Sequence, residues 1–261
     1  MKTVLGRKQA SDNSLWLEVA ENIEDYVSRE ELADAVSAVS ANILEHTKGK
    51  KVAYAWSGGK DSIVLGDICE KLGITDCIFA HSELEYPEFL SWCLENKPAK
   101  CEVINVGLNL DWLAKHQSML FPKSKELNRW YQLIQRRAFS KYFFAHDLAM
   151  LLVGHRKADG NVVGNNGIIS KSTGEVRYAP LADWSHEMIL AYIHYNELAL
   201  PPIYSWRNGY RCGTHPWPSR MYMADPQQGY REVYEIDPSI VTQAAEKLSS
   251  ARHFLEAEVK A

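Results

Sequence analysis

At 261 residues, 46% hydrophobic and 24% charged, the chain is long enough to bury a sizeable core and too apolar to be disordered. Its net charge of −4 excludes a dedicated nucleic-acid coat and leaves room only for a local basic site. No window approaches the roughly 18 uninterrupted apolar residues of a membrane span, so no membrane association is expected. The opening residues 1–8 (MKTVLGRK) lack the apolar core of a signal peptide. Five cysteines, Cys69, Cys77, Cys93, Cys101 and Cys212, stand far apart with no C-x-x-C, which fits reduced thiols rather than a disulfide frame. A cytoplasmic protein is expected.

Residues 15–45 carry a helical pattern. Ser28-Arg29-Glu30-Glu31 predicts a capping box, and Leu32, Val36, Val39 and Ile43 behind it form an apolar stripe at three- and four-residue spacing. Lys48-Gly49-Lys50-Lys51 ends that helix. From there strand and helix signals alternate: an apolar run at 51–56, a Gly-rich loop at 57–62, a helix over 63–72, a second run at 76–80, a helix over 87–96, and a third run at 101–106. A helical stretch over 126–146 then leads into a fourth run at 149–154. Strands separated by helices of this length predict parallel β-α-β units, hence an α/β doubly wound sheet. The last third changes character. Residues 161–175, rich in Gly, Asn and Ser, read as a long loop, 185–196 as a helix, and 200–230 as an aromatic, Pro- and Gly-containing irregular segment. Asp237-Pro238 opens a final helix.

The most informative stretch is Ser57-Gly58-Gly59-Lys60-Asp61-Ser62, between an apolar strand and a helix. Two glycines let the backbone turn tightly and approach a ligand closely. Successive N–H groups and the helix N-terminus make an anion nest, to which Ser57 and Ser62 add hydroxyls and Lys60 a compact positive charge. The spacing is not that of a Walker A loop, since Asp61 follows the lysine and no glycine stands five residues before Gly59. Asp61 would repel a polyphosphate unless a cation intervenes, so Mg²⁺ held by Asp61 is the expected companion.

SGGKDS after an apolar strand resembles the PP-loop of the ATP pyrophosphatases, which split ATP between the α and β phosphates and generally adenylate a substrate oxygen. Three further stretches are similar to one branch of that superfamily. Gly154-His155-Arg156-Lys157-Ala158-Asp159 resembles its G-x-R-x-x-D/E, and Pro180-Leu181-Ala182-Asp183-Trp184-Ser185 its P-L-x-D-W-S/T. Leu200-Pro201-Pro202-Ile203-Tyr204, with Gly209-Tyr210-Arg211 behind it, resembles its L-P-x-x-x-L-Y…G-Y. The branch holds phosphoadenylyl-sulfate (PAPS) reductase, the small subunit of ATP sulfurylase and the ATP pyrophosphatase subunit of DNA phosphorothioation. The resemblance implies a five-stranded parallel sheet of the adenine-nucleotide α-hydrolase type. It divides the chain into an N-terminal helical extension (1–49), a nucleotide-binding core (50–160), a substrate or lid region (161–235) and a C-terminal helix (236–261).

The implied chemistry is adenylation of an acceptor by ATP with release of pyrophosphate. Ser57, Gly58, Gly59, Lys60, Asp61 and Ser62 would hold the β,γ-pyrophosphate and Mg²⁺, with Lys60 stabilising the leaving group. Gly154 and Arg156 would meet the α-phosphate or the acceptor. His81 and Ser82, leaving the second strand at the same sheet edge, are candidates for adenine or ribose contacts. The acceptor is a small molecule or a nucleic-acid strand, and a homodimer or a partner subunit stays open. Arg129, Arg136, Arg137 and Lys141 could form a basic patch or a plain solvated face, and the aromatic and cationic loop from Trp206 to Arg220 either a stacking platform or a packed lid. Asp183 and Trp184 read as structural. Two departures from the branch weigh against reduction of sulfonucleotides. Residues 132–137 contain no cysteine and Cys212 begins no C-x-x-C, so no iron–sulfur cluster is expected; nor does any cysteine follow Cys212 to act as a nucleophile. A reductase without the cluster, and a nucleotide-binding subunit without catalysis of its own, are the alternatives.

Overall fold

The computed structural model describes residues 2–6, 11–122, 124–220 and 225–258, with backbone alone at 124–127; Met1, Arg7 and Lys8 of the opening segment lie outside them. Two helices precede the sheet, α1 (Asn13–Glu21) and α2 (Arg29–Thr47), divided by a short 3-10 turn at Ile23–Asp25. The break falls inside the helical stretch expected over 15–45. The second helix starts at the expected capping box: Ser28 Oγ accepts from Glu31 N at 3.2 Å, and Glu31 Oε2 accepts from Ser28 N at 3.1 Å. Leu32, Val39 and Ile43 are buried.

The core follows as β1 (Val52–Ala55), α3 (Lys60–Lys71), β2 (Cys77–His81), α4 (Pro87–Asn96), β3 (Cys101–Asn105), α5 (Leu110–Lys115) and α6 (Ser124–Tyr131). A π-helical turn (Gln132–Arg136) joins α6 to α7 (Arg137–Ala145), and β4 (Met150–Leu152) comes next. Then come β5 (Ile168–Ser170), β6 (Val176–Tyr178), α8 (His186–Tyr195), α9 (Gly209–Cys212), α10 (Pro226–Ile236), α11 (Pro238–Lys247) and α12 (Ser249–Glu258).

The sheet has six strands in the order β3-β2-β1-β4-β6-β5. Five are parallel, as the resemblance implies, and β5 adds an antiparallel edge paired with β6, Ile169 facing Arg177. That sixth strand corrects the reading of 161–175 as loop throughout. Its three residues are too few to show alternation, and the hairpin is closed by a turn in which Gly174, at φ +90°, donates to Lys171 O. The C-terminal region also departs from expectation. Helix α10 begins inside the stretch read as irregular, capped by Asp225 with Pro226 at its first position, and the glycine that obscured it, Gly229, is there for packing: a Cβ would stand 2.5 Å from the Phe121 ring. The final helix is two, broken at Leu248, where the backbone turns extended.

From β1 the chain steps to β2 and β3 on one side, then returns to β4 on the other side of β1. With right-handed crossovers this reversal sends α3 and α4 to one face and α7 to the other, the doubly wound arrangement. Helix α3 packs on β1 and α8, and α7 on β2 and β4. Because β1, β2 and β4 are covered on both faces, they read as continuous apolar runs, with Tyr54, Ile78 and Leu151 fully buried. The reversal opens a crevice beyond the C-terminal ends of β1 and β4, where open α/β sheets take ligands. Among the described residues no helix is long and apolar enough to cross a membrane. Removing the α2 cap by Ser28→Ala should lower stability by about 1 kcal/mol; an unchanged urea midpoint would show that the cap contributes nothing.

Candidate active site

The Gly-rich loop leaves β1 at that crevice and enters α3 at Lys60. Its shape is held from inside. Ser62 Oγ accepts from Ser57 N at 3.0 Å and donates to Gly59 O at 2.8 Å, so the first turn of the helix is laced back onto the loop. Gly58 sits at φ +67°, and a Cβ there would stand 2.4 Å from Cys93 Sγ on α4. Only glycine meets both constraints. Gly154, at the end of β4, is needed for a different reason: its Cβ would come within 3.2 Å of the backbone of Asp61 and Ser62. The two segments that resembled family motifs, 57–62 and 154–159, therefore touch through glycine. A third, the segment around Tyr204, supplies a hydroxyl that accepts from Lys60 N at 2.8 Å.

Behind the loop lies a buried ion cluster. Lys60, 1% exposed, places Nζ 2.9 and 2.8 Å from the two carboxylate oxygens of Asp61. Arg156, fully buried, donates from Nε to Asp61 Oδ1 at 2.8 Å, and its Nη2 lies 2.9 Å from Asp159 Oδ2. Two cations thus face two carboxylates. Such a balanced group can be buried where a single charge could not. The remaining Arg156 donors go to Trp184 O at 3.0 Å and His186 Nδ1 at 2.9 Å. Since Nδ1 accepts from a guanidinium, His186 is the neutral Nε2–H tautomer. Burial, then the positive charges of Lys60 and Arg156, push its pKa down to about 3. Trp16 of α1 closes the cluster, edge-on to His186 with ring centroids 4.5 Å apart and with Lys60 Nζ 5.7 Å from its own ring centre. Tyr210 stacks on the far side of Trp16 at 5.3 Å.

In front of the loop is a cleft of about 940 Å³, within the ~300–1,000 Å³ typical of ligand sites. Ser57, Gly59, Asp61, Ser62 and Gly154 line it, joined by Thr214 and His215 from the segment after α9. Phe79, Ala80, Phe89 and Val153 give it an apolar end. Lys60 and Arg156 are not among its walls; they stand behind the loop. His81 and Ser82 also stay outside it. The His81 ring faces Phe79, its Nδ1 is 2.9 Å from Ser82 O, and Ser82 Oγ donates to Glu85. Their place at the cleft is taken by Glu85, whose carboxyl is pushed up to about 7 by burial that outweighs two hydrogen bonds from Ser82. Polarity alone could not choose Glu85 out of a segment with two acids. Trp16, His186 and Tyr204 also escaped notice as supports of the loop, since their roles exist only in three dimensions.

The other candidates fall away from the cleft. Arg129, Arg136, Arg137 and Lys141 are exposed. Arg207 pairs with Glu235 and Arg220 with Glu232, so both cations are engaged within the lid. Asp183 is exposed and pairs with Lys157, while Trp184 supplies its carbonyl to Arg156. Cys212 is buried and outside the cleft walls. Among the described residues no group of three or more His, Cys, Asp or Glu could hold a metal ion.

The state of His186 has a consequence for stability. Its ordinary pKa is 6.5 and its native one about 3; below 6.5 the unfolded chain takes up a proton that the fold refuses. The contribution is complete above 6.5 and is lost as pH falls through that window, at roughly 1.4 kcal/mol per pH unit. His186→Asn keeps an acceptor facing Arg156 without the titration. The stability difference between wild type and variant should therefore change with pH between about 6 and 4, and parallel urea-unfolding profiles would contradict a neutral buried His186.

A model of the phosphoadenosine phosphosulfate reductase domain matches residues 51–216. No curated protein matches the chain. Among solved structures, the PAPS reductase of Candida auris in its phosphate complex is similar with a TM-score of 0.49 and 17% identity, over 69% of this chain and 92% of that one. A tRNA thiolase from Methanococcus maripaludis gives 0.45 and 14% over 98% and 84%. An NH3-dependent NAD synthetase from Campylobacter jejuni gives 0.48 and 14% over 86% and 96%. The matched segment runs from the lysine before β1 to Pro216, the last residue of the chain that lines the cleft, well over half of the sequence, and the chain belongs to the phosphoadenosine phosphosulfate reductase domain family.

Proposed function

We propose that the chain is an ATP pyrophosphatase that transfers the adenylyl group of ATP to an acceptor and releases pyrophosphate. The observation that carries this reading is the Gly-rich loop at the switch point of the sheet, opening into a nucleotide-sized cleft with a neutralised ion cluster behind it. The Ser57 and Lys60 amides already donate to Ser62 Oγ and the Tyr204 hydroxyl, so the β and γ phosphates are met by the other N–H groups of the loop and of the first turn of α3. Adenine lies in the apolar end, against Phe79, Ala80 and Val153. In the reaction an acceptor oxygen attacks the α-phosphorus, the bond from that phosphorus to the α,β-bridging oxygen breaks, and pyrophosphate leaves with the bridging oxygen. The contribution of the protein is position and field: Lys60 and Arg156 fix the loop and the potential behind it, without donating to the phosphates from the cleft wall.

The donor set does not suit a protein-held Mg²⁺. Both oxygens of Asp61 are within 2.9 Å of the Lys60 ammonium, and Oδ1 also accepts from Arg156. A metal there would have to displace two cations, so Mg²⁺ enters as part of the substrate, the magnesium complex of ATP, and no step runs through a metal bound by Asp61. Reduction of a sulfonucleotide is disfavoured by the position of Cys212, buried and outside the cleft walls.

Substitution of Lys60 would disturb the ion cluster as well as the chemistry, so the cleaner variant is Gly59→Ala. At Gly59 the backbone is at φ −80°, and an added Cβ meets Ser57 and Thr214 side chains at 3.3 Å or more. The variant should fold while narrowing the cradle. Incubated with magnesium ATP and followed by ³¹P NMR, wild type should yield AMP and pyrophosphate, and Gly59→Ala at least about tenfold less, a loss of roughly 1.4 kcal/mol of transition-state stabilisation. ADP and phosphate as products would contradict the proposal.

A further inference from the structure

A second cavity, of about 280 Å³, adjoins the cleft and shares with it the walls Tyr131, Val153, His155 and Val162. It lies between the π-helical turn and the β5–β6 hairpin, and its character differs from that of the cleft. Val153, Val163, Ile169 and Ala179 make an apolar floor, and three cations, Arg136, Lys171 and Arg177, complete the walls. One carboxylate faces them. Glu175, 1% exposed, accepts from Lys171 Nζ at 2.8 Å, Arg177 Nε at 2.5 Å and Ser140 Oγ at 2.5 Å. Arg177 Nη1 donates to Tyr131 OH at 2.7 Å. Arg177 Nη2 is buried and has no hydrogen-bond partner among the described residues.

Three positive charges against one negative leave the pocket with an excess of two, and a buried guanidinium nitrogen without an acceptor is costly. Neighbouring groups register the same crowding. Lys171 is held below its ordinary pKa by burial and then, against the pull of Glu175, by the like charges of Arg177 and Arg136. His155 is pushed down to about 4 by burial and Arg177 and so brings no positive charge at neutral pH. The groups facing this pocket are thus Arg136, Lys171, Arg177, neutral His155, the Tyr131 hydroxyl and Glu175. An anionic head group would supply the missing acceptor and balance the charge. The apolar floor would cover a short stem, and the volume is too small for a nucleic-acid strand.

We propose that this side pocket binds an oxyanion head (carboxylate, sulfate or phosphate) on a short apolar stem, and that it seats the second substrate beside the ATP cleft. The assignment to a second substrate rests on the adenylation reading; the oxyanion site itself does not. Guanidinium nitrogens of Arg177 and the Lys171 ammonium are the donors. The π-helical turn, a local irregularity that often marks functional positions, places Arg136 at the rim.

Isothermal titration of wild type, Lys171→Met and Lys171→Arg with butyrate, sulfate and phosphate tests the pocket. Lys171 is partly exposed, and Glu175 keeps Arg177 and Ser140 when it is replaced, so the fold survives. At least one of the three anions should bind wild type, weaken roughly tenfold or more in Lys171→Met and recover in Lys171→Arg. Which anion binds names the head group. Absence of binding by all three, or equal binding by all three proteins, overturns the proposal. A parallel titration with α,β-methylene-ATP separates the two readings: oxyanion binding without nucleotide binding would leave the pocket standing and remove its role beside ATP, whereas nucleotide binding unchanged in Lys171→Met, with oxyanion binding lost, supports both.

Discussion

The constraint on which the rest of the site depends is charge balance behind the Gly-rich loop. Lys60 and Arg156 are almost completely buried, and each can be so only because Asp61 and Asp159 face them. His186 completes the balance by staying neutral. The cluster converts two side chains that would otherwise reach into solvent into a fixed, charge-balanced wall behind a backbone cradle. Removing any one partner would leave a buried charge uncompensated, which costs more than the pair contributes in the intact fold.

Distant parts of the chain are drawn in to serve that cluster. From α1 comes Trp16, between His186 and Tyr210. The segment before α9 contributes the Tyr204 hydroxyl that takes the Lys60 amide, and the end of β4 contributes the glycine that lets α3 approach. The N-terminal helix is therefore part of the support of the loop, although the family match begins only at residue 51. Gly209 belongs to the same clamp: a Cβ there would stand 2.2 Å from Ile203 O, so the turn that brings Tyr204 and Tyr210 together admits no other residue.

The sequence made local features legible and long-range ones obscure. SGGKDS could be read as a cradle because glycine, hydroxyl and lysine at a strand–helix junction carry their physics within six residues. The capping box at Ser28 and the run of alternating elements from β1 to β4 were legible for the same reason, whereas the fifth parallel strand, β6, came only from the family resemblance. The β5–β6 hairpin was not, since three-residue strands show no period. Helix α10 was hidden by Gly229 and α12 by continuity of the apolar pattern across Leu248. At the site, Lys60 was expected to face the phosphates, and its burial follows from an ion cluster assembled by residues nearly a hundred positions apart. His81 and Ser82 were placed at the right sheet edge, yet their side chains turn into a local network with Glu85, which alone of the three reaches the cleft.

The central claim is that backbone amides of the loop, backed by a neutral ion cluster, receive the pyrophosphate portion of ATP. Titration of ¹⁵N-labelled protein with inorganic pyrophosphate, followed by amide shifts, tests it most directly. Saturable shifts confined to residues 57–62 and the adjoining Gly154 and Thr214 are the predicted result. Absence of shifts there, or shifts centred on the surface cations Arg129, Arg137 and Lys141, would contradict the account.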